Sequence, residues 1–215
     1  PWLVKFQAET EHKEVCAIEA MYAALARECG IEMPATRHFN LDRKLAAFGV
    51  ERFDRRDGLR VPMHTVAGAL NANFRLPSAV DYTTLLRLVR HMTRDEREVL
   101  KAFERCVFNV IFNNRDDHPK NFSFVLARER RWALSPAYDL TYCEGPRGEH
   151  QMDICGEGRA PSRKDLLRLA KDGGVDAKAA ATTVDRIASV AGKFIRHADP
   201  FSIRRATLSH LAAAV

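Results

Sequence analysis

The chain has 215 residues, of which 46% are hydrophobic and 29% charged, and its formal net charge is +6. This composition is ordinary for a soluble globular protein with a sizeable core, and no window approaches the ~18 uninterrupted apolar residues of a membrane-spanning helix. The five cysteines are odd in number and include no CxxC pair, which argues against a disulfide framework or a zinc site and favours reduced thiols in the cytoplasm.

The first 60 residues predict a small mixed layer of strands and one helix. The expected elements are a strand at 2–7, a helix from Glu14 to Cys29, and strands at 35–40 and 46–53. Apolar residues recur on one face of the helix, and Gly30 ends it. The pair Asp57-Gly58 marks a further turn.

From about residue 62 the sequence predicts a mainly helical region. Asp81 is placed to cap a helix that runs through Met92, and the stretch Thr93-Arg94-Asp95-Glu96 reads as a capping box for the next one. Apolar residues then recur at spacings of three and four from Val99 to Ile111, which predicts a buried helix. Ser162 and Asp165 open another helix, and the remainder is expected to be helical to the C-terminus.

A polar bend, NNRDDHPKN at residues 113–121, follows the buried helix directly. After it, FSFVL and RWAL predict a hairpin around the turn ARER, and a loop leads to Asp139. Because a hairpin returns the chain to its origin, we expect Asp116, Asn121 and Asp139 to converge. Two carboxylates and an amide oxygen form the hard donor set that Mg²⁺ prefers. The spacing, with an Asp, an Asn five residues later and a further Asp after a hairpin, is what the catalytic and metal-binding loops of a kinase require.

The combined motifs DDHPKNFSF and WALSPAYD closely resemble the HipA family, which comprises bacterial serine/threonine protein kinases known as toxins of toxin–antitoxin pairs. WLVKF resembles the strand that carries the family's nucleotide lysine, and VERFDR resembles its hinge between the lobes. The resemblance covers nearly the whole chain. It implies an α+β, protein-kinase-like two-lobed fold, with a small N-lobe remnant and hinge at 1–60 and a larger helical C-lobe at 61–215.

The resemblance also implies site roles for nine residues. Asp116 would be the catalytic base, with His118 and Lys120 supporting it or the transition state. Asn121 and Asp139 would hold Mg²⁺. The residues expected to bind ATP are Lys5, with Glu19 as its ion-pair partner, and Glu51 and Phe53 at the hinge.

Several of these residues also have simpler interpretations. His118 could be a loop histidine satisfied by backbone hydrogen bonds, and Glu19 could be a solvated helix residue. Phe53 is as easily a core residue as an adenine wall. The neighbouring Asp117 is expected to be a solvated or turn residue, and Trp132 on the hairpin a core residue.

The family's loop that covers the phosphates would lie upstream of Lys5, and the eleven glycines form no G-x-G-x-x-G. The chain begins at Pro1, so the expectation is a truncated N-lobe with reduced or absent activity. A second departure is the stretch MHTVAGAL, in which His64 and Thr65 replace the residues that are common at this position in the family.

The resemblance implies a HipB-like helix-turn-helix antitoxin as partner, with DNA bound only indirectly through it, and no membrane. Aminoacyl-tRNA synthetases are known targets in the family, so a synthetase is a candidate protein substrate. Two other functions stay open: a small-molecule kinase, and a kinase-shaped, non-catalytic module that acts with a DNA-binding antitoxin. A metal phosphohydrolase built on Asp116, Asp117 and His118 would need more ligands than the sequence offers.

Overall fold

A computed structural model describes all residues, 1–215, and its elements follow the expected order. The strands are β1 Trp2–Phe6, β2 Thr36–Asn40, β3 Ala46–Glu51, β4 Arg55–Arg56, β5 Leu59–Arg60, β6 Met63–Thr65, β7 Ser123–Leu126 and β8 Trp132–Leu134. The helices are α1 Glu14–Glu28, α2 Val66–Ala69, α3 Tyr82–Thr93, α4 Glu96–Ile111, α5 Arg163–Asp172, α6 Ala177–Ala191, α7 Phe194–Ala198 and α8 Arg205–Ala214. None of these helices has the length and apolar character needed to cross a bilayer.

The N-terminal sheet is antiparallel, with β3 in the centre between β1 and β2. Small residues on α1, including Cys16, Ala20 and Ala23, pack against β3, where Phe48 fills the space between helix and sheet. Close packing also explains a glycine within β3. A Cβ at Gly49 would lie only 2.9 Å from the ring of Phe39, so a larger residue would push the strands apart.

The opposite face of α1 joins the large C-terminal core. Tyr22 is fully buried there, and its ring meets Phe108 of α4 and Phe112, the residue that caps α4, edge-on. The Tyr22 hydroxyl donates a hydrogen bond to the Phe112 carbonyl at 2.8 Å. Helix α1 is therefore fixed to both the small sheet and the helical region, and so are the residues that it carries toward the site.

Helix α4 runs through the core, with α3 and α6 packed against it. It carries two buried charged residues that hold the end of β8. The Glu98 carboxylate accepts the Leu134 amide at 2.7 Å, and the buried Arg105 guanidinium donates to the Ser135 carbonyl. Burial lowers the pKa of Arg105 to about 10. These two contacts with α4 thus hold the loop that leads to Asp139 in place.

The predicted hairpin is present, and a third strand extends its sheet. Strand β7 pairs with β8 and also, on its other edge, with β6. The prediction of a helical region from residue 62 was wrong at Met63–Thr65, because three residues are too few to show a period and their pairing partner lies about 60 residues away. Thr65 ends β6 and caps α2, since its hydroxyl accepts the Gly68 amide at 3.0 Å.

The predicted capping box at residues 93–96 was also wrong. Thr93 is the last residue of α3, and its hydroxyl donates back to the Val89 carbonyl at 2.8 Å. The N-cap of α4 is Asp95, whose carboxylate accepts the Arg97 amide at 2.9 Å. Because α3 continues through Thr93, only two residues separate the helices, and Thr93 has no freedom to serve the next one. The predicted caps at Asp81 and Ser162 are both present.

Candidate active site

The polar bend begins where α4 ends. Asn113 has a left-handed backbone, with φ of 52°, which turns the chain out of the helix. Two residues of the bend form backbone hydrogen bonds with Cys143: the Arg115 amide donates to the Cys143 carbonyl at 3.1 Å, and the Cys143 amide donates to the Asn113 carbonyl at 3.1 Å. These bonds tie the bend to the segment that follows Asp139, so the two predicted loops lie side by side.

Asn121 closes the bend onto Asp116. Its side-chain amide donates to the Asp116 backbone carbonyl at 2.9 Å, and its own backbone amide donates to the His118 carbonyl at 2.9 Å. The nitrogen of the Asn121 amide is therefore occupied, which leaves its oxygen as the group available to a metal. The contact also fixes the backbone from which the Asp116 carboxylate projects.

The Asp116 side chain is half exposed, as a group that must meet a substrate would be. Partial burial raises the pKa of its carboxyl above the ordinary value; His118 lowers this pKa in part, and Asp139 raises it further. His118 Nε2 lies 3.8 Å from Asp116 Oδ1, while His118 Nδ1 is buried without a hydrogen-bond partner. The imidazole is thus aimed at Asp116, and the interpretation of His118 as a loop residue satisfied by backbone bonds does not describe it.

Three charged groups from three separate elements meet beside this bend. Lys5 Nζ on β1 lies 2.7 Å from Glu19 Oε1 on α1, and the same ammonium contacts the carboxylate of Asp139 from the loop after β8. Burial lowers the pKa of Lys5, but the two carboxylates outweigh this effect and raise it. Burial raises the pKa of Glu19, which Lys5 opposes. Lys5 therefore stays cationic, and Glu19 is a half-buried ion-pair partner and not a solvated helix residue.

A cleft of about 180 Å³ opens over this triad. Its charged end is formed by Lys5, Glu19 and Asp139. Its other walls are mainly apolar and come from β1, α1, β3, the segment after α1 and the loop around Asp139. These lining residues are Leu3, Ala23, Met33, Phe48, Val50, Tyr138 and Leu140. An apolar slot with a charged end can take a flat heterocycle whose attached groups are anionic.

The two predicted hinge residues lie outside the lining of this cleft. Glu51 is exposed at the end of β3, and its amide is already donated to the Ala35 carbonyl at 2.8 Å. Phe53 packs its ring against Tyr138, with 5.5 Å between the ring centroids. Phe53 thus supports the residue next to Asp139, which is the packing interpretation of this side chain.

Lys120 lies on the bend, and its side chain packs on the segment between α2 and α3. Its ammonium sits over the ring of Phe74, 4.2 Å from the centroid, and His118 meets the same ring edge-on at 5.5 Å. The Lys120 carbonyl accepts the Tyr138 hydroxyl at 2.6 Å, which joins the two loops once more. The segment between α2 and α3 therefore contributes an aromatic support, Phe74, that sequence patterns did not reveal.

The prediction that Asp117 is solvated was wrong, because this carboxylate is fully buried. It accepts three hydrogen bonds: from the Tyr82 hydroxyl at 2.7 Å, from His150 Nδ1 at 2.8 Å and from the Gln151 amide at 2.8 Å. Asn109 in turn donates to the Tyr82 hydroxyl at 2.9 Å. A buried carboxylate is tolerated only with such partners, so Asp117 anchors the bend. No local signal could reveal this, since all three donors lie 33 or more residues away.

The donor set near the cleft fits Mg²⁺. The Asn121 side-chain oxygen and the Asp139 carboxylate are hard oxygen ligands, and carboxylate-poor sites of this kind leave room for the water and phosphate oxygens that Mg²⁺ normally keeps. No group of three or more His, Cys, Asp or Glu side chains is arranged to hold a metal by itself. A divalent ion held by Asn121 and Asp139 would take its remaining ligands from water or from phosphate oxygens.

Comparison with known proteins bears on this geometry. Residues 1–194 match the family described as HipA-like C-terminal domain. The chain belongs to this family. The match confirms the resemblance seen in the motifs. By structure, the chain superposes on HipA in the Shewanella oneidensis MR-1 complex of HipA, HipB and operator DNA, with a TM-score of 0.80 and 18% identity, over 99% of this chain and 56% of that one.

Further relatives of this HipA-like chain are kinases by name. It superposes on the Helicobacter pylori proinflammatory kinase CtkA with a TM-score of 0.63 and 14% identity, over 99% of this chain and 84% of that one. A Haemophilus influenzae protein named as a candidate kinase is 26% identical over 63% of this chain and 41% of its own length. A similar Sinorhizobium fredii protein, Y4dM, is 26% identical over 67% of this chain and 39% of its own length. The chain thus spans about two fifths of these curated relatives, and the kinase-like α+β fold is confirmed.

Proposed function

We propose that this HipA-like chain carries the catalytic region of a serine/threonine protein kinase that transfers the γ-phosphoryl group of ATP to a protein hydroxyl. The observation that carries the proposal is the meeting of Lys5, Glu19 and Asp139 at one cleft. Backbone hydrogen bonds tie the segment after Asp139 to the bend on which Asn121 holds the backbone of Asp116. Phosphoryl transfer depends on positioning and on electrostatic stabilisation, and these groups supply both. In this proposal, residues 1–60 act as the small lobe with the hinge and residues 61–215 as the large lobe.

Asp116 is assigned to the substrate hydroxyl. Its carboxylate is half exposed, its backbone is held by the Asn121 side chain, and its pKa is raised. Such a group is suited to accept a proton from an attacking hydroxyl. His118 faces that carboxylate and orients it. Lys120 contributes positive charge near the bend, and its position over Phe74 makes it a support for His118 more than a direct contact.

Lys5 is assigned to the phosphates of ATP, and Glu19 to the positioning of Lys5. Asn121 and Asp139 would hold Mg²⁺, which would neutralise charge on the phosphate oxygens when bound. Phe53 supports the adenine side of the cleft through Tyr138. For Glu51 we retain only a role of its backbone carbonyl at the hinge, because its amide donates to the Ala35 carbonyl.

The likeness to HipA in a complex with HipB and operator DNA supports a HipB-like helix-turn-helix antitoxin as partner and a toxin–antitoxin role for the whole protein. Operator DNA would be bound chiefly through that partner. The protein substrate is a cytoplasmic protein with an accessible Ser or Thr, for which an aminoacyl-tRNA synthetase is a candidate.

The proposal is tested on the whole protein that contains this chain, by following transfer from γ-labelled ATP with Mg²⁺ in host extract, followed by phosphoamino acid analysis. We compare the parent with Asp116→Asn and Asp139→Asn, and use Asp199→Asn as a control because Asp199 is exposed and makes no ion pair. The expected result is phosphoserine or phosphothreonine with the parent and control only. Asp116→Asn should still bind ATP in calorimetry, and Asp139→Asn should lose the Mg²⁺-dependent part of that binding.

Three other outcomes would replace the proposal. Label in a small-molecule fraction would identify a small-molecule kinase. ATP binding without transfer to any acceptor would identify a kinase-shaped binding module. Transfer that survives both Asp116→Asn and Asp139→Asn would show that the assigned site is wrong.

A further inference from the structure

A cationic cavity lies away from the candidate active site, at the far end of the β7–β8 hairpin. Its volume is about 460 Å³, and it is lined by the end of α3 and the hairpin turn. We call it the arginine pocket and define it by Arg94, Arg130, Arg131, His91 and Trp132. Strand β7 begins beside Asn121 and runs four residues toward this turn. At ~3.3 Å per residue the pocket is about 13 Å from the catalytic bend.

The three arginines of the pocket have no partner within the chain. Their side chains are exposed and make no ion pair or hydrogen bond. No carboxylate lines the cavity. Three like charges that surround one concave space repel one another, so the pocket favours an anionic occupant.

Nearby carboxylates do not neutralise the pocket because other arginines already engage them. Asp95 is paired with Arg97 at 2.7 Å, Glu96 with Arg90 at 2.6 Å and Asp57 with Arg128 at 2.7 Å. In the hairpin turn, Arg128 thus forms an ion pair within the fold, whereas Arg130 and Arg131 do not. The remaining acid of the turn, Glu129, is exposed and does not line the cavity.

The backbone gives no reason for arginine at two of these positions. Arg94 and Arg130 have φ values of 54° and 56°, a left-handed conformation that glycine or asparagine adopts at lower cost. The presence of arginine at these two positions is therefore explained by the charge of the side chains and not by a backbone preference.

The type of anion follows from the side chains present. The planar guanidinium group matches the geometry of a phosphate and can donate two hydrogen bonds to it. Trp132 is half-buried against the core, as the sequence predicts, and the rest of its ring lines the same cavity. Guanidinium groups that follow a phosphate backbone, beside an aromatic ring on which a base stacks, are the combination that binds single-stranded nucleic acid.

We propose that the arginine pocket is a binding site for single-stranded nucleic acid, with Arg94, Arg130 and Arg131 on the phosphates and Trp132 against a base. The site is separate from the ATP cleft and does not depend on the proposed kinase activity. It gives the chain its own contact with nucleic acid, in addition to any contact made through an antitoxin.

The test is fluorescence anisotropy with labelled oligonucleotides of about 12 nucleotides, one thymidylate and one uridylate, titrated with the protein between about 50 and 200 mM salt. The triple variant Arg94→Ala/Arg130→Ala/Arg131→Ala should bind at least about tenfold more weakly. Its slope of log affinity against log salt should be shallower by about 2, since each lost phosphate contact on a single strand removes about 0.7. A preference between the two distinguishes a DNA-type ligand from an RNA-type ligand, and either preference supports the site.

The matched control is Arg43→Ala/Arg60→Ala/Arg205→Ala, which removes the same charge from exposed arginines that make no ion pair. It should retain the parent affinity to within about twofold, because screening suppresses distant surface charges. Equal losses in both triple variants would mean that only net charge matters, and would overturn the proposal. So would parental affinity in the pocket variant, or a parent that does not bind either oligonucleotide.

The chain has two tryptophans, so Trp2→Phe leaves Trp132 as the only indole reporter. Oligonucleotide should quench its emission, and inorganic phosphate at the same phosphate concentration should not, since only a base can stack. Polyglutamate is the comparison for an acidic protein. Quenching by polyglutamate equal to that by oligonucleotide would show that the pocket recognises acidic chains, and the proposal would fail.

Discussion

Lys5 on β1 lies 2.7 Å from Glu19 on α1, and its ammonium also reaches Asp139 at the start of the segment after the hairpin. One cation thereby joins the small sheet, the helix that packs on it and the loop that carries a proposed metal ligand. The position of Lys5 thus depends on how α1 packs in the core. Substitution of Glu19 should consequently affect nucleotide binding more than stability.

Glu19→Gln removes the charge that holds Lys5 while retaining the shape of the side chain. We expect the affinity for ATP·Mg²⁺ to fall about tenfold because Lys5 is no longer held in position. A tenfold loss corresponds to about 1.4 kcal/mol of binding free energy. The free energy of unfolding should change by less than about 1 kcal/mol, since Lys5 is one third exposed. Calorimetric titration and urea denaturation measure the two quantities. The control is Glu28→Gln on the exposed face of the same helix, and equal ATP affinity in both variants would contradict the assignment of Glu19.

The pKa of Asp116 predicts the pH dependence of transfer. A base must be deprotonated, and burial raises the pKa of this carboxyl above the ordinary 3.8, so activity should fall on the acid side at a higher pH than an unperturbed aspartate would give. His118 partly lowers that pKa. His118→Gln should therefore move the acid limb of the kcat/KM profile to higher pH, while activity at alkaline pH falls less. An acid limb that does not move would show that His118 does not act on Asp116.

The network around Asp117 predicts a stability effect from a single hydroxyl. Tyr82→Phe removes a donor to a fully buried carboxylate and the acceptor of the Asn109 amide, so the free energy of unfolding should fall by about 1–3 kcal/mol. The matched control is Tyr142→Phe, whose hydroxyl contacts the exposed Glu144 and His210. That variant should stay within about 0.5 kcal/mol of the parent. Urea denaturation distinguishes them, and equal effects would mean that Asp117 does not need the Tyr82 hydroxyl.

Glu14 predicts how stability varies with acid. Burial would raise its pKa, but hydrogen bonds from Arg204 and Thr207 of the C-terminal segment outweigh burial and lower the pKa from 4.5 to about 2. A lowered pKa stabilises the fold above the ordinary value, and this stabilisation is lost as pH falls from about 4.5 toward 2. The shift corresponds to on the order of 3 kcal/mol.

Glu14→Gln isolates this contribution. The difference in unfolding free energy between the parent and this variant should be largest above about pH 5 and should shrink by on the order of 3 kcal/mol toward pH 2. The exposed Glu129, which makes no ion pair, gives the control Glu129→Gln. Chemical denaturation across this pH range is the measurement. A difference that is independent of pH would show that Glu14 does not titrate with a lowered pKa in the folded protein.

Most of the fold could be predicted because its elements carry local signals. The three-and-four spacing of apolar residues indicated α4, the caps at Asp81 and Ser162 placed two helix starts, and the alternating runs on either side of ARER indicated the hairpin. Strand β6 gave no such signal, because its conformation is decided by pairing with β7.

The sequence by itself determined which residues could do chemistry: a bend with Asp116 and Asn121, an aspartate after a hairpin, and a lysine strand followed by a helix with Glu19. The inferences about the bend and Asp139 needed only spacing and the geometry of a hairpin, whereas those about Lys5 and Glu19 came from the resemblance to the HipA family. The tertiary structure alone decided that Asp117 is buried, that Phe74 supports His118, and that Arg94 meets Arg130 and Arg131 around one cavity. Each of these facts joins residues more than 30 positions apart, and burial and charge pairing depend on which distant segments pack together. A local pattern records the period of one element and carries no information about its partners.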